Sequence, residues 1–384
     1  MKPVNKDLIK VTECKMVGKL PELLKFDDGT PVVTPGDWAK RRKEIYKTAI
    51  ELQYGTMPPK PELMDVEVIY DQSHISCRIH TGKKEHPVTF YMKIIPPKNA
   101  KVRCPVIIDG DMCFRYYMDP GFLQAASDEG IAWVLFDRTE LAHDVRADGR
   151  KGQLYEAYPE CTFGALGAWA WGYSRCVDAL EILFKDKKEP LIDLSMITFT
   201  GHSRGGKTAA IAGALDERAA IVNPNQSGEC GCGCYRVKMQ GYCEGVEAPT
   251  RSEVLRDDVT IFPYWTGPEM AGYVDREEDL PFDSHFLKAL IAPRVLYTSD
   301  AAADIWANPI GAWITNMAAK KVWDLLGEPD KLCYYYREGT HYHRADDIKM
   351  LVNVIKHYKD PSVPLDEAFF ATPFDQEKYK ELIE

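Results

Sequence analysis

The sequence predicts an α/β fold, a mostly parallel central sheet with helices on both faces. Three observations predict it. The octapeptide Gly201-His-Ser-Arg-Gly-Gly-Lys-Thr208 sits between an apolar strand, Met196–Thr200, and a helix, Ala209–Leu215. Further β-branched and aromatic runs of strand length, such as Ile131–Phe136, Pro293–Thr298 and Leu332–Tyr336, read as buried strands. An aspartate and a histidine then follow the last two of these runs at their C-terminal ends, the edge where open α/β sheets bind ligands.

In chain order, residues 1–60 form an extension and 61–384 the catalytic domain. Asp37 to Gln53 places Trp38, Ile45, Ala49 and Leu52 on one helical face, with Lys and Arg elsewhere, so it reads as a packing helix. Gly55-Thr-Met-Pro-Pro-Lys-Pro61 ends it. Val66–Tyr70, Ile75–Ile79 and Val88–Ile95 read as antiparallel edge strands, and Pro105–Asp109 as a core strand followed by the tight turn Gly110-Asp111-Met112. Thr162 to Phe184 is a long buried helix. Internal repeats and interdomain linkers are not evident.

The octapeptide satisfies two motifs. Gly201-x-Ser203-x-Gly205 is the nucleophile elbow of an α/β-hydrolase, and Gly201-x4-Gly206-Lys207-Thr208 is a phosphate loop. The rest of the chain chooses between them. A nucleotide site needs a second strand ending in a carboxylate, but Ala219–Val222 runs into Asn223-Pro224-Asn225. A hydrolase needs an acid and then a histidine, and Ser203, Asp304 and His341 follow in that order, each past a strand. The serine hydroxyl becomes a useful nucleophile only when an imidazole takes its proton, and a carboxylate fixes that imidazole's tautomer. Asp300 competes with Asp304 as the acid, and Glu229 is next after both; His343 competes with His341 as the base. His285 and His357 fall on helices and read as packed or solvated. Backbone donors for the oxyanion would come from the N–H of Arg204 and from the Gly110-Asp111-Met112 turn.

Composition excludes several partners. The net charge of −10 argues against nucleic acid, and no apolar run approaches the ~20 residues of a membrane span. The first residues lack an apolar signal core, which points to the cytoplasm, or to secretion if a signal has been removed. Eleven cysteines cannot all pair, and the spacing of Cys230, Cys232, Cys234 and Cys243 matches no standard zinc site, so they read as reduced thiols. A metal or cofactor is not expected.

Gly201-His-Ser-Arg-Gly-Gly-Lys207 resembles the Gly-x-Ser-Arg-x-Gly-Lys signature of glucuronoyl esterases, the carbohydrate esterases of family fifteen. Phe136–Ala142, Gly164–Gly172, Leu280–His285, Ala289–Arg294 and Asp304–Pro309 resemble its bacterial members, from about residue 36 onward. The resemblance implies hydrolysis of an ester between 4-O-methyl-glucuronate and an alcohol, without metal or cofactor. It implies that the Arg204 side chain assists the oxyanion, that Lys207 bonds sugar hydroxyls and that Trp306 packs on the sugar ring. Some members carry a catalytic Glu where this chain has Gln226, which leaves Asp304 as the acid. A sugar-contacting Gln of fungal members falls on Pro249 and a Glu on Asp257, and the fungal elbow cysteine is His202. Gln226 and Asp257 therefore join Lys207 and Trp306 as expected substrate-binding residues. The expected partner is a small-molecule or oligosaccharide ester, and an acetyl-sugar ester is the alternative substrate.

Overall fold

The computed structural model describes residues 10–98, 103–114, 119–187, 191–242, 247–374 and 376–379. The strands are β1 (Lys10–Met16), β2 (Leu63–Asp71), β3 (Ile75–Gly82), β4 (Pro87–Ile95), β5 (Cys104–Asp109) and β6 (Ala132–Phe136). There follow β7 (Ile192–His202), β8 (Ile221–Asn225), β9 (Val237–Tyr242), β10 (Thr250–Arg251), β11 (Val295–Ala301) and β12 (Leu332–Arg337). Nine of them form one sheet in the order β12-β11-β8-β7-β5-β6-β4-β3-β2. From β12 to β6 all neighbours are parallel, whereas β6, β4, β3 and β2 pair antiparallel. This is the α/β-hydrolase arrangement the elbow motif called for.

Burial on both faces explains why the central strands read as unbroken apolar runs. Every residue of β5 and β6 is buried, yet their side chains still alternate between two cores. Val106, Ile108, Val134 and Phe136 face the larger core, against the helices Ala165–Phe184 and Arg204–Leu215. Ile107, Trp133 and Leu135 face the smaller one, under the helices Pro120–Ser127 and Ala345–Lys359.

The N-terminal helix runs Pro35–Tyr46, opened by a Thr34–Asp37 capping box, and continues as a π-turn over Lys47–Glu51. Trp38, Ile45 and Ala49 enter the larger core as expected. The sequence reading passed over β1, which pairs with β9 in a separate three-stranded sheet. A register shift between Val11 and Glu13 interrupts its alternation, so the period-2 signal is weak. Among the described residues no helix is long and apolar enough to cross a membrane.

Candidate active site

The turn from β7 into the helix Arg204–Leu215 holds Ser203 at φ 56°, ψ −119°. A left-handed non-glycine residue costs on the order of 1–3 kcal/mol and persists only where its surroundings over-determine it. Here they do. A Cβ on Gly201 would collide with the Gly205 carbonyl, one on Gly205 with the Asp111 carboxylate, and one on Gly206 would lie 2.6 Å from the Asn225 carbonyl. Ser203 N–H donates to that same Asn225 carbonyl at 3.0 Å, fastening the elbow to the end of β8. The glycines that suggested a phosphate loop are thus required by close packing. Thr208 Oγ1 donates to Arg204 O (2.8 Å), an intrahelical bond.

Three loop tips converge on the serine. Ser203 Oγ lies 2.9 Å from His341 Nε2, and His341 Nδ1 lies 2.5 Å from Asp304 Oδ2. Asp304 is buried in the turn after β11, while the imidazole is one-third exposed. Ala307 N–H donates to the other Asp304 oxygen at 3.3 Å. Of the competing residues, His343 stacks on His202 (centroids 4.9 Å) instead of meeting the serine. Asp300, expected in the loop, belongs to β11, because Ser299 and Asp300 continue the ladder opposite Tyr335 and Tyr336. Burial pushes its carboxyl up to about 7. His285 and His357 instead bond the carbonyls of Pro21 and Val363.

Gln226, expected to bind substrate, is buried at φ 44° beside Asp304. With its amide oriented to suit its neighbours, Nε2 donates to Asp304 Oδ2 (3.1 Å) and Thr340 O (3.2 Å), and Oε1 accepts from Arg337 Nη2 (2.8 Å). It thereby meets the same Asp304 oxygen as His341 Nδ1.

Arg204 is the first residue of its helix, so its N–H has no intrahelical acceptor. Its guanidinium donates to Asp144 Oδ2 (2.9 Å) and lies 5.0 Å from the Phe262 and Trp265 ring centroids. Tyr264 OH and Trp265 Nε1 donate to the other Asp144 oxygen at 2.9 and 3.3 Å. Burial alone would raise the Asp144 carboxyl, but Arg204 and Arg138 outweigh it and hold it below the usual range. Arg138, fully buried, pairs with Asp111, whose other oxygen accepts from His202 N–H at 2.9 Å. The second backbone donor expected from Gly110-Asp111-Met112 is not free. Those three N–H groups go to Tyr173 OH (3.0 Å), Asp109 Oδ1 (2.8 Å) and Phe136 O (3.2 Å).

Comparison with known proteins bears on this geometry. The family model for fungal glucuronyl esterases matches residues 79–327. A 4-O-methyl-glucuronoyl methylesterase of Podospora anserina is 31% identical over 83% of this chain and 63% of its own length. One from Hypocrea jecorina is 31% identical over 85% of this chain and 66% of its own. The chain belongs to the glucuronoyl esterase family. It spans just under two thirds of the length of those relatives. Among solved structures, a family 15 glucuronoyl esterase from Caldicellulosiruptor kristjansonii superposes with a TM-score of 0.79 at 28% identity, covering 94% of this chain and 95% of that one. The catalytic domain of the Hypocrea jecorina glucuronoyl esterase gives 0.75 at 26% identity, with 97% of each chain covered.

In this glucuronoyl esterase-family chain two more expected sugar contacts point elsewhere. Lys207 is buried, donating to Ser227 O (2.8 Å), Glu253 Oε2 (2.6 Å) and the Glu229 carbonyl. Burial opposes its charge, but Glu253 and Asp258 more than restore it, so its pKa is raised. Asp257 is likewise occupied. Both its oxygens take Arg251 (2.6 and 2.8 Å), and one also caps the helix Leu255–Ile261 through Val254 N–H. Of the expected sugar contacts only Trp306 is partly exposed: it is half-buried two residues past Asp304, with the Arg251 guanidinium 5.9 Å from its ring. Sequence reading missed Asp144, Arg138 and Glu253. The segment Phe136–Ala142 did carry the family resemblance, but nothing in it says that Arg138 faces Asp111. Cys230 and Cys234 are buried thiols bonding Asp258 Oδ2 (3.2 Å) and Asp283 Oδ2 (3.5 Å), and Cys232 is buried nearby. Cys243 lies outside the described residues.

Proposed function

We propose that the chain is a serine carboxylic-ester hydrolase acting on sugar-linked esters, most specifically 4-O-methyl-glucuronoyl or methyl uronate esters. The observation that carries this is the unbroken chain Ser203 Oγ–His341–Asp304 beside a cationic donor on the first residue after the nucleophile. Ser203 Oγ attacks the ester carbonyl as His341 Nε2 takes its proton. Negative charge develops on the carbonyl oxygen, where the Arg204 N–H and guanidinium are the donors at hand. Because the N–H groups of Gly110, Asp111 and Met112 are taken, the guanidinium takes the role usually given to a second backbone donor. His341 then protonates the departing alcohol, and water, activated by the same imidazole, releases the uronate from Ser203. Trp306 and Arg251 form the rim that meets the sugar.

The test is a side-by-side assay of a methyl glucuronate ester and an acetylated sugar. Faster turnover of the uronate ester, abolished in Ser203→Ala, is the expected result. A preference for the acetyl ester would move the substrate to acetyl-sugars, and full activity in Ser203→Ala would overturn the mechanism.

A further inference from the structure

The triad histidine is packed against other imidazoles. His202 immediately precedes the nucleophile, and His343 follows His341 by two residues. The rings of His202 and His343 stack nearly parallel, with centroids 4.9 Å apart and planes at 18°. His202 also leans on His341, at 4.8 Å and 40°. Each ring is anchored from outside. His202 Nδ1 bonds Asn225 Oδ1 (2.7 Å), and Asn225 Nδ2 in turn donates to Ser299 Oγ (2.8 Å). His343 and Phe122 meet edge to face at 4.6 Å and 82°. The loop carrying His341 and His343 is tied to β12 by Arg337, which donates to Glu338 O (2.9 Å) and Tyr342 O and bonds Asp347 Oδ1 (2.6 Å).

From this packing we infer that His202 and His343 form a ring clip that locks the nucleophile elbow to the histidine loop and holds the His341 ring in reach of Ser203 Oγ. The clip rests on the triad reading above. It works without charge. Burial, with Arg337 and the neighbouring imidazoles, pulls His202 down to about 3 and His343 well below its ordinary range. Two neutral rings can stack face to face, whereas two imidazolium ions would repel. His202 and His343 are positioning residues, since neither bonds Ser203 directly. A small misplacement of a general base costs far more in rate than in binding.

The test compares His343→Leu, which fills the space without a plane, with His343→Phe, which restores one, using fluorophosphonate labelling of Ser203 and turnover of a uronate ester. His343→Leu should lower kcat on the order of tenfold with KM little changed, and should slow labelling by a similar factor. His343→Phe should recover most of the loss. Adding His202→Ala to His343→Leu should cost little beyond the worse single variant, because both break one contact. The clip is overturned if His343→Leu keeps wild-type kcat and labelling rate, if Phe fares no better than Leu, or if the two losses multiply. Failure of the wild-type serine to label would instead remove the triad reading on which the clip stands.

Discussion

Lys207 brings one positive charge into a buried region that also holds the carboxyl groups of Glu229, Glu253 and Asp258. Burial pushes the Glu229 and Asp258 carboxyls well above the usual carboxylate range, which disfavours their charged forms, while Glu253 pairs with the ammonium. Removing one partner of a buried pair strands the other. Lys207→Met should therefore lose about 3–5 kcal/mol in urea unfolding, and adding Glu253→Gln should recover part of it. A loss below about 1 kcal/mol would return Lys207 to the sugar-binding role that the family resemblance implies. Asp300 tests the acid assignment and the electrostatics together. Its raised pKa of about 7 means the native state binds a proton that the unfolded state releases above its ordinary value near 3.8. Unfolding free energy therefore falls as pH rises through that window. Asp300→Asn should flatten that fall while changing kcat little, whereas Asp304→Asn should lower kcat strongly. The reverse ranking in kcat would make Asp300 the acid.

The elements of the sheet were legible in the sequence where burial is continuous, and less so at their ends. The sequence pattern ends β11 at Thr298, but hydrogen bonding to β12 carries it to Ala301. The sequence reads the helix after the elbow from Ala209, whereas the structure starts it at Arg204. Close packing makes Gly205 the sharpest test of the elbow. In Gly205→Ala the new Cβ would meet the Asp111 carboxylate, itself held by buried Arg138, so neither side can yield cheaply. We expect Gly205→Ala to lose roughly 1–3 kcal/mol and most esterase activity. Gly272→Ala, which meets nothing within 4 Å, should stay within about 0.5 kcal/mol of wild type. Equal melting temperatures for the two would show that the elbow tolerates a side chain.

Across the whole molecule the site forms because β7, β8, β11 and β12 are lateral neighbours, so Ser203, Gln226, Asp304 and His341 emerge along one edge. Ser203, Asp304 and His341, the proposed triad, were readable because each follows its own strand. Asp144, Glu253 and Arg138 were not, because each reaches the site through tertiary contacts that leave no spacing in the chain. The same architecture sends Lys207 inward, so calorimetry with Mg-ATP at millimolar concentration should give no heat of binding; saturable micromolar binding would contradict the burial of that lysine. The series Asp111–Arg138–Asp144–Arg204 joins the turn after β5, the segment after β6 and the elbow helix through alternating charges. Such a series constrains descent. A lineage that exchanged one of these residues would leave a like-charge pair or a stranded ion beside the nucleophile, so viable change has to arrive in compensating sets. Directed evolution that varies them singly should find mostly dead ends, while libraries confined to the Trp306–Arg251 rim can explore new esters without disturbing them.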